Sequence, residues 1–267
     1  MEITKKILGR MHGALGGRRF RQIACNYDFK GYKRVYNIHI RKTGGTSLNK
    51  IAISEATDDY DSFYNRLAAD ANHRLEENGK IIVGWNIPLI NRGDYFYAFS
   101  HTPYHRLNLP PQTYTITCFR DPIMRVLSHY KNLMDYRIQK IDHPCMKIEG
   151  QWLGKNLSDF IDNIPDDHLL NQLYMFSRNL DIDEALHSLS RVSCIMFTEH
   201  FAEGIDYVNR GLGMQLTARH LRKSSYSPEV SEDDLSQLKA RLSKEYALLD
   251  RIKSEQGGAL NVALPRE

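Results

Sequence analysis

Apolar and polar residues alternate along Tyr36, Ile38 and Ile40, and again along Tyr114, Ile116 and Cys118, the period-two signature of strands. Strands are predicted over Lys33–Ile40, Lys80–Trp85, Tyr95–Ser100, Thr113–Phe119 and Val192–Thr198. Between them apolar residues recur at helical spacing, as at Met124, Val126, Leu127, Tyr130 and Leu133. Helices are predicted over Ser47–Glu55, Asp59–Glu77, Ile123–Tyr136, Ser158–Ile164, His168–Phe176, Asp183–Ser188, His200–Arg210 and Ser231–Ser254. The last has Ser231 as N-cap, Asp234 at the capping-box position, and Gly257 and Gly258 as its stop. Strands alternating with helices predict an α/β fold in three layers, a central mainly parallel sheet flanked by helices. Ligands of such folds bind beyond the carboxyl ends of the strands. No repeat or linker divides residues 31–267, which read as one domain; residues 1–30 read as a basic, peripheral segment.

One strand end carries chemistry. The segment Tyr36–Leu48, YNIHIRKTGGTSL, passes from a strand through a Lys-Thr-Gly-Gly-Thr-Ser turn into a helix. Glycines let backbone N–H groups turn inward, and the first helical turn adds unpaired donors and partial positive charge, so the segment predicts an anion cradle. Lys42 supplies a full charge, and Thr43, Thr46 and Ser47 supply hydroxyls. The order is not that of the nucleoside-triphosphate loop, in which lysine follows the second glycine and a hydroxyl holds magnesium. Here Lys42 precedes Gly44 and Gly45, and no obvious apolar strand ends in an aspartate to anchor a metal. A phosphate- or sulfate-like ligand without a metal is expected.

A second segment, Thr113–Tyr130, reads TYTITCFRDPIMRVLSHY. Asp121-Pro122 marks helix entry, because proline is favoured at the first helical position. Arg120 therefore falls at a strand's end and Ser128 two turns into the next helix. An arginine there can grip a second anionic group bidentately, and a serine can add a hydrogen bond.

At these residues HIRKTGGTSL resembles the 5′-phosphosulfate loop of sulfotransferases that use 3′-phosphoadenosine 5′-phosphosulfate (PAPS), and FRDPIMRVLSHY resembles their 3′-phosphate motif. The resemblance is to the carbohydrate branch that includes heparan sulfate 2-O- and 6-O-sulfotransferases and related bacterial enzymes. SHTPYHRL, NQLYMFS, FTEHFAEGI and HLRKSS add weaker echoes, so the similarity runs from about Val35 to the C-terminal helix. The family usually has proline where this chain has Arg41. The resemblance implies a P-loop-like fold, PAPS as co-substrate and a carbohydrate or glycolipid acceptor. It implies that Lys42 neutralises the bridging oxygen and that the loop from Thr43 through Gly44, Gly45, Thr46 and Ser47 holds the 5′ side. Arg120 and Ser128 then hold the 3′-phosphate, with Arg222, Lys223 and Ser224 as a lid. His101, directly after a predicted strand, is the expected general base, the family having a histidine base at this point. His105 is the alternative base.

Composition changes this picture little. A chain of 267 residues with 42% hydrophobic and 25% charged residues is ordinary for a globular enzyme, and a net charge of +4 is mildly basic. Cys25, Cys118, Cys145 and Cys194 form no C-x-x-C pair, which argues against zinc and for a reducing compartment. No apolar run is long enough to span a membrane and no secretory leader is evident, so a cytoplasmic location is expected. The basic opening segment allows weak contact with a membrane surface, and no nucleic-acid partner is expected. Two rival classes are a P-loop kinase and a catalytically silent polyanion- or nucleotide-binding protein. Among other residues, Arg125 reads as a phosphate ligand or a surface salt bridge, Glu199 as an arginine partner, His39 as core, and His129 as packing or exposed. Trp85, Tyr174 and Phe176 read as core or as stacking surfaces, and the loop Lys140–Lys155 is expected to shape the acceptor groove.

Overall fold

Every residue from Val35 to Ile40 is buried, so the first strand is covered on both faces, as suits the centre of a parallel sheet. The structure, a computed structural model, describes residues 27–218, 229–255, 258 and 260–263. In chain order it runs β1 (Arg34–Ile38), α1 (Gly45–Ile53), α2 (Tyr60–Ala69), β2 (Arg74–Glu77), β3 (Lys80–Gly84), α3 (Ile87–Arg92) and β4 (Tyr97–Ser100). Then come β5 (Thr113–Phe119), α4 (Pro122–Ile138), α5 (Leu157–Asn163), α6 (Asp166–Leu169), α7 (Asn171–Tyr174) and α8 (Ile182–Leu189). The described chain closes with β6 (Cys194–Phe197), α9 (Phe201–Leu212), α10 (Glu232–Arg241) and α11 (Ser243–Ser254). The six strands form one sheet in the order β2-β3-β4-β1-β5-β6, parallel except for β2.

The strands' period of two divides the core into two layers. Val35, Ile116, Cys118 and Met196 pack on one face with α1, α2 and α9 through Leu48, Ile51, Phe63, Ile205 and Val208. Tyr36, Ile38, Phe119 and Phe197 pack on the other with α4, α5, α8 and α11 through Val126, Tyr130, Phe160, Leu189 and Leu249. The three-layer α/β arrangement is thus present. Its consequence for function lies at β1 and β5. These strands are neighbours, yet the helices that follow them leave to opposite faces, α1 to one and α4 to the other. That divergence opens a crevice at the strands' carboxyl ends, where ligands of open α/β sheets bind.

Four elements differ from expectation. The run Asp59–Glu77 is not one helix: α2 ends at Ala69, and Arg74–Glu77 turns back antiparallel on β3. Asn78 and Gly79, with φ of 49° and 70°, make the tight turn between them, and an Asn-Gly pair suits that turn better than a helix. The predicted helix His168–Phe176 divides into α6 and α7 at Leu170. The final helix bends at Leu242, with φ −93° and ψ 6°, which keeps Leu238, Leu242, Leu248 and Ile252 all on the core. The short helix α3 was not predicted; Asn86 caps it and Pro88 falls in its first turn, a start signal too short to carry periodicity. Among the described residues no helix is long and apolar enough to cross a membrane.

The sheet's far layer also holds the strand end of β5 in place. Gln172 accepts from the Arg120 N–H at 2.8 Å and donates back to the Arg120 carbonyl at 3.0 Å. Glu245 on α11 fixes Gln172 in turn, accepting from its backbone N–H at 2.7 Å and its side-chain amide at 3.0 Å. Burial raises the Glu245 carboxyl above its ordinary value, against the opposing charge of fully buried Arg125. Removing this carboxylate leaves the α7 amides without their acceptor and buried Arg125 without its nearby opposite charge. We expect Glu245→Ala to lose on the order of 3 kcal/mol of stability. A urea midpoint shifted by less than a quarter of that would show that the carboxylate does not carry this corner.

Candidate anion-binding and catalytic site

The turn after β1 is built by backbone conformation more than by side chains. Lys42 and Gly44 both have left-handed dihedrals, with φ of 68° and 87°. For lysine this costs energy, so surrounding groups must hold it. Arg120 donates to the Lys42 carbonyl at 3.2 Å, and the Thr198 hydroxyl donates to the Thr43 carbonyl at 2.9 Å. Gly44 is the N-cap of α1 and offers no side-chain oxygen to the helix's first amides. The N–H groups of Gly45 and Thr46 have no intrahelical acceptor by helix geometry, so the cradle presents donors to an incoming anion. Gly45 is required for a second reason. A methyl group there would lie 1.9 Å from the His39 ring, so glycine is what lets the histidine lie flat against the turn.

The predicted loop residues divide. Lys42 and Thr46 line a cleft of about 320 Å³. Lys42 Nζ donates to Asn132 Oδ1 at 2.9 Å, a neutral acceptor. Ser47 is half-buried one residue further on. Thr43 differs from expectation: it is buried, and its hydroxyl donates to the Ile40 carbonyl at 3.0 Å, so it braces the turn instead of reaching a ligand. Arg222, Lys223 and Ser224 lie outside the described residues.

Arg120 is at the end of β5, as predicted, and its side chain reaches across to the Lys42 turn. Among the described residues no carboxylate pairs with it. Ser128 is half-buried on α4, and its hydroxyl has no hydrogen bond among the described residues. It lies one turn before Asn132, the residue that holds Lys42. Arg125 is a correction. It is neither a phosphate ligand nor a surface ion pair but wholly buried, donating to the carbonyls of His168 and Leu169. Glu199 is spent as well, accepting from the Asp121 N–H at 2.9 Å.

The histidines meet at the cleft. His101 follows β4, and its Nδ1–H donates to the His39 carbonyl at 2.7 Å, leaving Nε2 as the acceptor nitrogen. The two rings lie 4.3 Å apart. Burial, and then the charge of Arg41, pull His101 down to about 4, below the near-neutral titration expected of a general base. His39 is likewise lowered well below its ordinary value, by burial first and then by His101, Arg41 and Lys42. His129 is buried rather than exposed and donates from Nε2 to Glu149 at 2.8 Å. Its burial holds it to about 4 despite that carboxylate, so the contact is a hydrogen bond from a neutral ring. Glu149 also pairs with Arg41, and against the effect of burial these two partners bring its carboxyl to about 2. His105 is elsewhere, edge-on to Tyr174 at 5.7 Å, and does not line the cleft. Of the proposed stacking rings, Trp85 packs on Phe99 and Phe176 on Phe119.

Sequence reasoning missed Arg41, Asp61, Tyr64, Asn132, Tyr136 and Glu149, all of which line the cleft. One signal was available. Arg125, His129, Asn132 and Tyr136 recur at helical spacing along α4, a polar stripe on a helix whose remaining buried positions are apolar. The loop Lys140–Lys155 does reach the cleft, through His143, Cys145 and Glu149. No protein-family model matches the chain, and no curated protein matches it significantly.

His39, His101 and His129 fold as neutral rings, whereas the unfolded chain protonates them near 6.5. Below that pH the unfolded state binds protons that the folded state does not, so stability must decline as pH falls from 6.5 toward about 4. Each ring contributes a slope approaching roughly 1.4 kcal/mol per pH unit. Denaturant midpoints taken between pH 7 and pH 4.5 should fall steeply; a flat profile would mean that these rings are not buried neutral.

Proposed function

We propose that this chain is a sulfotransferase that moves the sulfuryl group of PAPS to a hydroxyl of a carbohydrate or glycolipid. One observation carries the reading: the Arg120 guanidinium, with no carboxylate partner among the described residues, donates to the carbonyl of Lys42, whose glycine turn borders the cleft that also holds His101, a histidine fixed in one tautomer. The two motifs that resemble the 5′ and 3′ loops of the family touch each other directly, which supports one donor spanning both. Three described cysteines are unpaired, which fits a reducing, cytoplasmic setting.

In this reading the N–H groups of Gly45 and Thr46, with the Thr46 and Ser47 hydroxyls, hold the 5′ side, and Arg120 and Ser128 hold the 3′-phosphate. The acceptor oxygen attacks sulfur in line, the bond from sulfur to the bridging oxygen breaks, and adenosine 3′,5′-bisphosphate leaves with the bonding pair. Lys42 offsets the charge that grows on the bridging oxygen, and the acceptor proton passes to His101 Nε2. A sulfuryl group carries less charge than a phosphoryl group, so fixed cations and amides supply the stabilisation. The depressed basicity of His101 belongs to the protein without its donor. An anionic donor in the cradle opposes the charges of Arg41 and Lys42 that lower His101, and so raises its basicity as the reaction is assembled.

Three outcomes test this. Adenosine 3′,5′-bisphosphate at about a hundredfold excess over its Kd should stabilise the protein by about 2.7 kcal/mol, several degrees in thermal midpoint. ATP with magnesium producing the shift alone would point to the kinase class instead. His101→Ala should reduce transfer by about 10²–10⁴-fold with bisphosphate affinity unchanged, and full activity would remove it as the base. Arg120→Ala should weaken the bisphosphate by roughly tenfold or more relative to adenosine 5′-monophosphate. Equal weakening of both would count against the 3′ assignment.

A further inference from the structure

The cleft beyond His101 has walls that the donor reading does not use. On α2, Tyr64 is stacked with Tyr60 at 5.5 Å and braced edge-on by Trp85 at 5.6 Å. From α4 and the loop after it, Tyr136 stacks with His143 at 4.8 Å and 15°. Both tyrosines line the cleft. Rings already held in place lose little freedom when they meet a ligand, and an aromatic face suits the C–H face of a sugar ring. Asp61 and Asn65, one helical turn apart on α2, line the same cleft. Both are exposed, and neither makes a hydrogen bond or ion pair among the described residues.

The charge balance restricts what can bind there. Arg41 and Lys42 are the cations of the lining, and Asp61 and Glu149 its carboxylates, so the wall has no surplus of positive charge. Arg41 is moreover already matched by Glu149. A donor in the cradle adds several negative charges to this balance. An acceptor bearing carboxylates or sulfates would meet both the donor and Asp61 with like charge, a repulsion that selects against it.

We propose that this outer half of the cleft is the acceptor subsite and takes a sugar ring without acidic groups. Tyr64 and Tyr136 are its aromatic walls, and Asp61 and Asn65 receive its hydroxyl or ammonium donors. The proposal rests on the sulfotransferase reading for the word acceptor, while the binding of the sugar itself does not require that reading. It separates this chain from enzymes whose acceptors are uronate-rich polyanions.

The test is calorimetric titration of three tetrasaccharides, with and without saturating adenosine 3′,5′-bisphosphate: glucosamine oligomer, N-acetylglucosamine oligomer, and an alternating glucuronate–N-acetylglucosamine oligomer. The uronate oligomer should bind at least about tenfold more weakly than the better of the other two, and the gap should widen with bisphosphate bound. Asp61→Asn should weaken the preferred oligomer by about fivefold or more, while bisphosphate affinity stays within about twofold. Tyr136→Ala should weaken both non-acidic oligomers by about tenfold. If the glucosamine oligomer leads and Asp61→Asn erases its lead, the carboxylate receives an ammonium; if the acetylated one leads, it receives hydroxyls, and either result supports the subsite. Equal or tighter binding of the uronate oligomer overturns the proposal, as does sugar binding indifferent to both substitutions. Failure of every oligomer to bind a protein that still binds bisphosphate sinks the subsite alone. Sugar binding as described, without bisphosphate binding or transfer, sinks the sulfotransferase reading and leaves the subsite standing.

Discussion

The hydrogen bond from Arg120 to the Lys42 carbonyl is the contact on which the site depends. It joins the ends of two adjacent parallel strands whose following helices depart to opposite sides of the sheet. Lys42 adopts a left-handed backbone that lysine disfavours, and its carbonyl accepts the hydrogen bond that the guanidinium donates. Arg120 is itself fixed by a double hydrogen bond to Gln172, which Glu245 holds from the last helix. The contact at the Lys42 turn is thus tied to residues more than a hundred positions later in the chain. Local propensity would not hold this turn in place; the tertiary clamp does.

That dependence explains what the sequence could and could not reveal. Strand ends and helix starts are local matters, so the alternation before Lys42 and before Arg120 was readable, and both residues emerged where the patterns end. His101 was readable for the same reason, directly after β4. The run Asp59–Glu77 misled because amphipathic spacing outweighed an Asn-Gly pair, whose left-handed dihedrals carry the hairpin. Arg125 misled, and Glu149 was passed over, for a different reason. Charged residues are taken as exposed unless paired, and their partners stand far away in sequence: Arg125 with the carbonyls of His168 and Leu169, Glu149 with Arg41. Thr43 was assigned to the ligand because hydroxyls in a glycine turn resemble ligands, yet the turn consumes that hydroxyl itself.

The same pairing orders the electrostatics of the crevice. Glu149 reaches into the site from the loop after α4 and accepts from Arg41 and His129 together. It thereby offsets the cation nearest the histidines, while Arg120 on the other side of the turn has no carboxylate partner among the described residues. Positive charge is consequently concentrated where Arg120 meets the Lys42 turn and is nearly balanced along the lining of the cleft that His101 faces.

A neutral imidazole in such a place is held in one tautomer by a backbone carbonyl, not by a carboxylate. The His39 carbonyl fixes its orientation and also favours its protonated form, though less than burial and Arg41 oppose it. The ring's proton affinity is set first by burial and next by the charge of Arg41. An anion placed beside Arg41 and Lys42 would oppose their lowering effect and raise the basicity of His101. On the proposed reading the Lys42 turn and His101 would act as one electrostatic unit, coupled by the arrival of an anionic donor.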